Sequence, residues 1–161
     1  RTMFRELLES SIKLHMRSDV PVGSCLSGGL DSSSIVCFAD KLLGRDQRPF
    51  HTFTARFKER SIDESPWVDD VNRQIAAHAH SVTPDANDFL ADLDKVIWQQ
   101  DEPFTSTSIY AQWCVMREAR RAGIPVLLDG QGADEILCGY RKFYAHYIST
   151  LFKQKAWGTL I

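Results

Sequence analysis

The chain has 161 residues, of which 43% are hydrophobic and 25% are charged, and its formal net charge at pH 7 is −2. This length suits a single globular domain with a substantial buried core. The small net charge does not favour nucleic acid or an anionic membrane surface as a partner. No apolar run approaches the roughly 20 residues that span a bilayer. We therefore expect one domain over residues 1–161 that binds neither nucleic acid nor membrane.

The cysteines are widely spaced and form no CxxC pair; they are Cys25, Cys37, Cys114 and Cys138. This pattern favours reduced thiols in the cytoplasm and does not favour zinc. The N-terminal stretch is amphipathic and has no secretory apolar core. Because the chain begins at Arg1 and ends without a terminating motif, we expect it to be part of a longer protein.

Hydrophobic spacing, glycines and prolines predict helices that alternate with strands. In chain order these are a helix over 3–17, a strand over 22–26, a helix over 31–43 ended by Gly44, a strand over 51–57, a helix after Ser65, a strand over 80–83, a helix capped by Asp85 or Asn87, a helix over 109–122 ended by Gly123, and a strand over 124–128. Ser65 is expected to be the N-cap of its helix, with Pro66 in the first turn. The apolar helix faces, which include Phe4, Leu7, Leu90 and Ile97, and the four tryptophans are expected to pack inside.

Alternating strands and helices predict an α/β fold, a small doubly wound parallel sheet with helices on both faces. Such sheets bind ligands outside the carboxyl ends of their strands. Two glycine-rich runs, over 27–33 and 129–135, each follow a predicted strand directly. We therefore expect both runs at that edge of the sheet.

The first run, Ser27-Gly28-Gly29-Leu30-Asp31-Ser32-Ser33, has the composition of an anion site. The glycines let backbone N–H groups approach a ligand closely, the serines add hydroxyl groups, and the next helix points the positive end of its dipole at the same place. A carboxylate at Asp31 would repel phosphates unless it binds Mg²⁺ that neutralises them. The run lacks the lysine of GxxxxGKS loops, which excludes that family. We predict a site for the phosphates of ATP with Mg²⁺; the alternative, a tight turn with Asp31 as a helix cap, accounts for less of the run.

The second run has two glycines and three acids, and Asp134 is the natural second Mg²⁺ ligand if the loop faces Asp31. The alternative is an ordinary helix start, because acids in a first turn favour the helix dipole. The run alone fits both interpretations equally well, and the first run favours the ligand site.

Two further pairs carry weaker signals. His78 and His80 have the spacing of two metal ligands, but no further ligands are evident, so a solvated helix end and strand start is the favoured interpretation. Asp63 and Glu64 follow the second predicted strand and either touch substrate or are polar loop residues; the sequence fits both equally.

Several motifs together resemble a known family. They are DVPVG at 19–23 leading into SGGLDSS, DEPF at 101–104, and DGQGADE at 129–135 followed by Gly139-Tyr140. SGGxDS alone indicates the wider group of PP-loop ATP pyrophosphatases, with the adenine nucleotide alpha hydrolase-like fold. The combination resembles the synthetase domain of glutamine-dependent asparagine synthetases, over Arg17 to about Tyr144. The resemblance implies that the domain uses ATP to convert the side-chain carboxylate of aspartate into β-aspartyl-AMP with release of pyrophosphate. Ammonia from glutamine then gives asparagine.

The resemblance also implies roles for individual residues. The backbone around Cys25, Leu26 and Ala55 would contact the adenosine, with Asp129 and Gly130 against the nucleotide. Pyrophosphate and Mg²⁺ would be held by Ser27, Gly28, Gly29, Asp31, Ser32 and Ser33. The metal ligands would be Asp31 and Asp134. The residues expected in catalysis are Asp31, Gln131 and Asp134.

The chain departs from the family in three ways. It does not contain the glutaminase domain, which would be a partner on the same polypeptide, and the family's lysine near the transition state would lie beyond residue 161. Gln131 stands where some members carry a glutamate, and an amide orients a ligand but carries no charge. We therefore expect this chain alone to give no turnover.

The sequence leaves several alternatives open. Related enzymes form β-lactams or macrocycles, so neither the acceptor nor the nitrogen source is decided, and the protein is compatible with a homo-oligomer. A non-catalytic nucleotide-binding module is the alternative outside enzymes.

Overall fold

The computed structural model describes residues 2–43, 49–59, 61 and 63–155. The described residues form two compact units, one up to Asp129 and one from Gly130 onward. The elements of the first unit are α1 (Thr2–His15), β1 (Val22–Cys25), α2 (Leu30–Leu42), β2 (His51–Ala55), α3 (Ser65–Ile75), β3 (His78–Val82), α4 (Ala86–Gln100), α5 (Ser108–Arg121) and β4 (Val126–Leu128). Those of the second are α6 (Ala133–Leu137) and α7 (Arg141–Lys153).

The strands of the first unit form one parallel sheet in the order β3-β2-β1-β4. The chain adds β2 and β3 on one side of β1 and then places β4 on the other side. This reversal makes the carboxyl ends of β1 and β4 the switch point at which doubly wound sheets bind ligands. The predicted small doubly wound α/β fold is confirmed.

Helices cover both faces of the sheet, and the alternation of side chains along β2 separates the two faces. Phe53 is buried against Val115 and Ala119 of α5. Its neighbour Thr52 points to the other face, where its hydroxyl donates a 2.6 Å hydrogen bond to the amide oxygen of Asn72 in α3. On that second face a separate core joins α1, α2 and α3 through Ile12, Val36, Ala39, Val68 and Ile75.

The helix caps agree with the sequence in part. The N-cap of α4 is Asp85, whose carboxylate accepts a hydrogen bond from Asn87 N, and Gly123 follows α5 at φ +73°.

The N-cap of α3 is Glu64, so the predicted cap at Ser65 is wrong by one residue. The Ser65 hydroxyl instead donates a 2.6 Å bond to Asp63 Oδ1, and this local partner replaces the capping bond. Gly44, the predicted end of α2, lies outside the described residues.

Several apolar residues that we expected inside are exposed. Trp67 and Trp98 are 64% and 83% exposed, and more than two-fifths of the side-chain surface is also exposed at Phe4, Leu7, Leu90 and Ile97. The helical period assigns these residues to apolar faces correctly, but those faces extend beyond the area that the rest of their unit covers. Trp113 packs as expected, stacked on Tyr110 at 5.8 Å, whereas Trp157 lies outside the described residues. No helix in the described ranges combines the length and apolar character needed to cross a bilayer.

A buried carboxylate joins α4 to α5. Asp92 accepts hydrogen bonds of 2.7 Å from both Lys95 Nζ and Arg117 Nη1, and the Arg117 guanidinium also lies 4.5 Å from the Trp113 ring centre. The hydrogen bond from Lys95, followed by that from Arg117, lowers the pKa of Asp92. Ionised Asp92 therefore stabilises the contact between the two helices.

We expect Asp92→Asn to lower the melting temperature at pH 7, because Arg117 then loses its countercharge. The lowered pKa means that this stabilisation is present above the ordinary aspartate pKa of about 3.9 and is lost as the pH falls through the folded-state value. The melting temperatures of the wild type and the variant should therefore converge only as the pH falls below the lowered folded-state pKa of Asp92. Thermal melts across pH test this, with exposed Asp94→Asn on the same helix as the control. Equal melting temperatures for the two variants at pH 7 would contradict it.

Candidate functional site

The pairing of β1 with β2 continues one residue past the end of β1. Leu26 N donates a 2.9 Å hydrogen bond to Phe53 O, and Leu26 O accepts a 2.7 Å bond from Thr54 Oγ1. Leu26 is only 1% exposed. Cys25, Leu26 and Ala55 therefore lie together at the carboxyl edge of the sheet. Both backbone groups of Leu26 already bond to β2, which leaves only the second lone pair of its carbonyl for a ligand.

The loop after β1 is held in shape by its own serines. Ser27 N donates to Ser32 Oγ at 3.2 Å, and the two hydroxyl oxygens lie 3.0 Å apart. Gly29 N donates to Ser27 Oγ at 3.3 Å. These hydroxyls, which the sequence predicts as ligand donors, are thus engaged within the loop. They fix the turn that leads into α2.

Gly28 combines two constraints that only glycine meets. Its φ of +93° is strained for any residue with a side chain. A Cβ at this position would also lie 3.0 Å from Glu64 O and 3.2 Å from Trp67 Cβ. The first turn of α3 therefore packs directly against this loop and places Glu64, one of the two open candidates, beside it.

The start of α2 is open to a ligand. Gly29 is the N-cap and offers no side chain to the first-turn N–H groups, which are left without intrahelical partners. Asp31 lies half-buried in that first turn, and within the described part of the chain its carboxylate has no hydrogen-bond or ion-pair partner. The unpartnered carboxylate fits a cation, and the adjacent N–H groups fit an anion.

The switch point brings an acid beside β1. Ser24 Oγ donates to Leu128 O at 3.1 Å and so joins β1 to the last residue of β4. Asp129 follows at once and accepts a 3.4 Å bond from Gln112 Nε2. Burial, together with the charge of Asp129 and a hydrogen bond to it, raises the pKa of Cys25 to about 12. Cys25 is thus a neutral thiol that forms part of the wall of the site.

The second unit begins with the rest of the other glycine-rich run. Gly132 has a φ of +92° and precedes α6, with Asp134 and Glu135 in the first turn. This is the helix start that the alternative interpretation expects, and it is compatible with a ligand role for Asp134. Gly139 N donates to Asp134 O at 2.9 Å, and a Cβ on Gly139 would overlap the Asp134 carboxylate. The glycine of the Gly139-Tyr140 pair therefore makes room for that carboxylate.

The structure gives different surroundings to the two weaker candidate pairs, Asp63 with Glu64 and His78 with His80. Asp63 Oδ1 accepts hydrogen bonds from Ser65 Oγ and Phe57 N, the first of which is the main cause of its lowered pKa, so this carboxylate shapes the loop before α3. His78 and His80 are joined by a third histidine, His51, with ligand nitrogens that all lie within 4.8 Å of one another. Sequence reasoning missed His51 because the cluster depends on which strands are neighbours. The pairing register of β2 with β3 is the signal that finds it.

Comparison with known proteins agrees with these features. The family model for asparagine synthase matches residues 3–158. A putative glutamine-hydrolysing asparagine synthetase of Methanocaldococcus jannaschii is 38% identical over 84% of this chain and 26% of its own length. Asparagine synthetase 1 of Bacillus subtilis is 33% identical over 84% of this chain and 21% of its own length. A Penicillium rubens protein named amidase chyE is 28% identical over 90% of this chain and 23% of its own length.

The chain thus spans about a quarter of the length of these relatives. The family model covers nearly all of the chain, and the two synthetases are each more than 30% identical to it. The chain belongs to the asparagine synthase family.

Proposed function

We propose that this chain is the ATP-binding part of a ligase that activates the side-chain carboxylate of aspartate as β-aspartyl-AMP. Ammonia then displaces AMP and forms asparagine. The observation that carries the proposal is the open start of α2 at the switch point of the sheet, where Asp31 in the first turn has no partner among the described residues. Membership of the asparagine synthase family supports this chemistry.

Different residues at the carboxyl edge of the sheet are proposed to bind different parts of the nucleotide. The backbone around Cys25, Leu26 and Ala55 takes the adenosine, with Asp129 and Gly130 against the nucleotide. The phosphates meet the N–H groups at the start of α2 and the loop residues Ser27, Gly28, Gly29, Ser32 and Ser33. The helix dipole stabilises negative charge at this point, by about 0.3–1 kcal/mol per exposed charge.

Mg²⁺ is the cation that we propose, because carboxylates are its usual protein ligands. Asp31 is the first proposed ligand and Asp134 the second. When bound, the ion would neutralise the phosphates and stabilise the charge that develops on the departing pyrophosphate. Gln131 orients a substrate group through its amide and cannot act as a base.

The nitrogen source is proposed from the relatives. Both synthetases described above are named as glutamine-hydrolysing, so we propose that a glutaminase domain of the same polypeptide supplies the ammonia. A different amide-forming reaction is the second candidate, because one similar protein is named as an amidase and not as an asparagine synthetase. ATP–pyrophosphate exchange on the full-length protein separates the two: dependence on aspartate supports the first, and exchange only with another carboxylate supports the second.

We expect Asp31→Asn to weaken the binding of Mg²⁺–ATP by about tenfold to a hundredfold, as for loss of a charged interaction. ATP without Mg²⁺ should bind no worse than to the wild type, because the variant removes a carboxylate that repels phosphates. Isothermal titration calorimetry with and without Mg²⁺ measures both effects.

The control is Asp88→Asn, which also replaces an aspartate in the first turn of a helix, α4. It should bind Mg²⁺–ATP as the wild type does. An Asp31→Asn variant with unchanged affinity, or with the same loss in the absence of Mg²⁺, would rule out Asp31 as a metal ligand.

Gly139→Ala tests the proposed role of Asp134 without changing its charge. The new methyl group would overlap the Asp134 carboxylate and rotate it away. We expect the Mg²⁺-dependent part of ATP affinity to fall to about the level of Asp134→Asn, with an unchanged circular dichroism spectrum. Tyr140→Phe removes the 3.0 Å hydrogen bond to Glu135 but leaves Asp134 in place, and it should bind normally. Normal affinity in Gly139→Ala would show that the position of this carboxylate does not matter.

A further inference from the structure

Three histidines form a cluster where β2 and β3 begin. His51 and His78 are paired residues of the two strands, and His80 pairs with Phe53. The alternation of side chains puts all four on the face that α5 covers. His51 Nδ1 lies 3.0 Å from His80 Nε2, and the ligand nitrogens of the three rings are all within 4.8 Å of one another.

These distances are close to those of a transition-metal site. Two nitrogens bound to tetrahedral zinc, each at about 2.0–2.1 Å, lie about 3.3 Å apart. The His51–His80 pair already has nearly this spacing. His78 is exposed, so a rotation of its ring can bring the third nitrogen closer without disturbing the core.

The residues around His80 also support a metal site. While Nε2 of His80 faces His51, its Nδ1 faces Glu118 Oε1 of α5 at 4.0 Å. A histidine that binds metal through one nitrogen commonly donates its other N–H to a carboxylate, which fixes the ring and strengthens the ligand. Glu118 lies 3.9 Å from Arg121 Nη1, which balances its charge. Phe53 stacks on the His80 ring at 4.5 Å and holds its plane.

We propose that His51, His78 and His80 bind a divalent transition-metal ion such as zinc, with Glu118 as the carboxylate that orients His80. Three imidazoles leave a fourth tetrahedral position for water. The ion would tie the edge strand β3 to β2 at the amino end of the sheet, whereas the proposed nucleotide site follows the carboxyl ends. The ion is therefore proposed to join the two strands, and the proposal does not depend on the proposed function.

The alternative is a stack of imidazole rings in which His51 and His80 share an N–H···N hydrogen bond. Burial and the neighbouring rings lower the pKa of His51 and His80, which suits both interpretations because metal ligands must also be unprotonated. Direct metal binding distinguishes the two.

The test is titration of the metal-free chain with Zn²⁺ against a chromophoric chelator, with the absorption spectrum of the Co²⁺ form as a second measurement. We expect one ion per chain, a raised melting temperature, and a tetrahedral Co²⁺ spectrum without the charge-transfer bands that thiolates give. The Cys138→Ser variant, which removes the exposed thiol, should bind in the same way.

Variants distinguish Zn²⁺ binding at the histidine cluster from incidental Zn²⁺ binding elsewhere on the chain. His78→Gln, at an exposed position, should abolish stoichiometric binding, and Glu118→Gln should weaken it about tenfold or more. The matched control His15→Gln/His146→Gln removes the other two histidines and should bind as the wild type does. Asp31→Asn should also leave Zn²⁺ binding unchanged, so a failure of the proposed ATP site is distinguishable. Absence of stoichiometric binding by the wild type, or binding that survives His78→Gln, would overturn the proposal.

Discussion

The rest of the structure depends on the burial of β1 between two parallel neighbours. Gly23 lets β2 and the segment that leads into β4 approach closely, because a Cβ there would lie 2.9 Å from His51 O and 3.1 Å from an Ile124 methyl carbon. Ser24 is fully buried and bonds to Leu128 O, while Leu26 bonds to β2 on the other side. Because hydrogen bonds hold β1 on both sides, the position at which the chain leaves the sheet is fixed. Asp129 therefore lies beside Cys25, two residues before the glycine-rich loop begins.

This arrangement places negatively charged carboxylates near a helix start that favours a negatively charged ligand. Asp31 brings a carboxylate to the first turn of α2, which favours an anion, and Asp129 brings another beside Cys25 at the end of β1. Asp129 is balanced locally by a hydrogen bond from Gln112 and by the proton that Cys25 retains. Asp31 has no such partner among the described residues, so a bound anion and a cation together satisfy this end of the helix better than either does alone.

Local features of the sequence were the most predictable. The Asp85 cap and the turn at Gly123 depend on a few adjacent residues, and both are confirmed. The Ser65 cap was wrong because Asp63, two residues earlier, competes for the same hydroxyl group. Exposure at Trp67 was not predictable, since burial depends on what covers a helix face and not on its period.

In the candidate site, too, features set by adjacent residues were predictable and features set by contacts between distant segments were not. The loop over 27–33 could be interpreted from its residues because its serines and glycines contact one another. The packing of Glu64 against Gly28 required the structure, because it joins the segments after two different strands. His51 was missed for the same reason. Its partners become visible only once β2 and β3 are known to pair with His51 opposite His78.

The two ends of the sheet therefore present different chemistry. At the carboxyl ends of β1 and β4 there are carboxylates, backbone N–H groups and hydroxyls, which suit a hard ion such as Mg²⁺ and the phosphates it accompanies. At the amino ends of β2 and β3 there are imidazoles, which suit a borderline ion such as zinc. Because ligand type separates the two ions, a metal at the histidines would stabilise the edge strand without competing for the nucleotide site. With both proposed sites occupied, one small sheet would hold an ion that joins two strands at one end and leave its other end free for a ligand that binds and leaves.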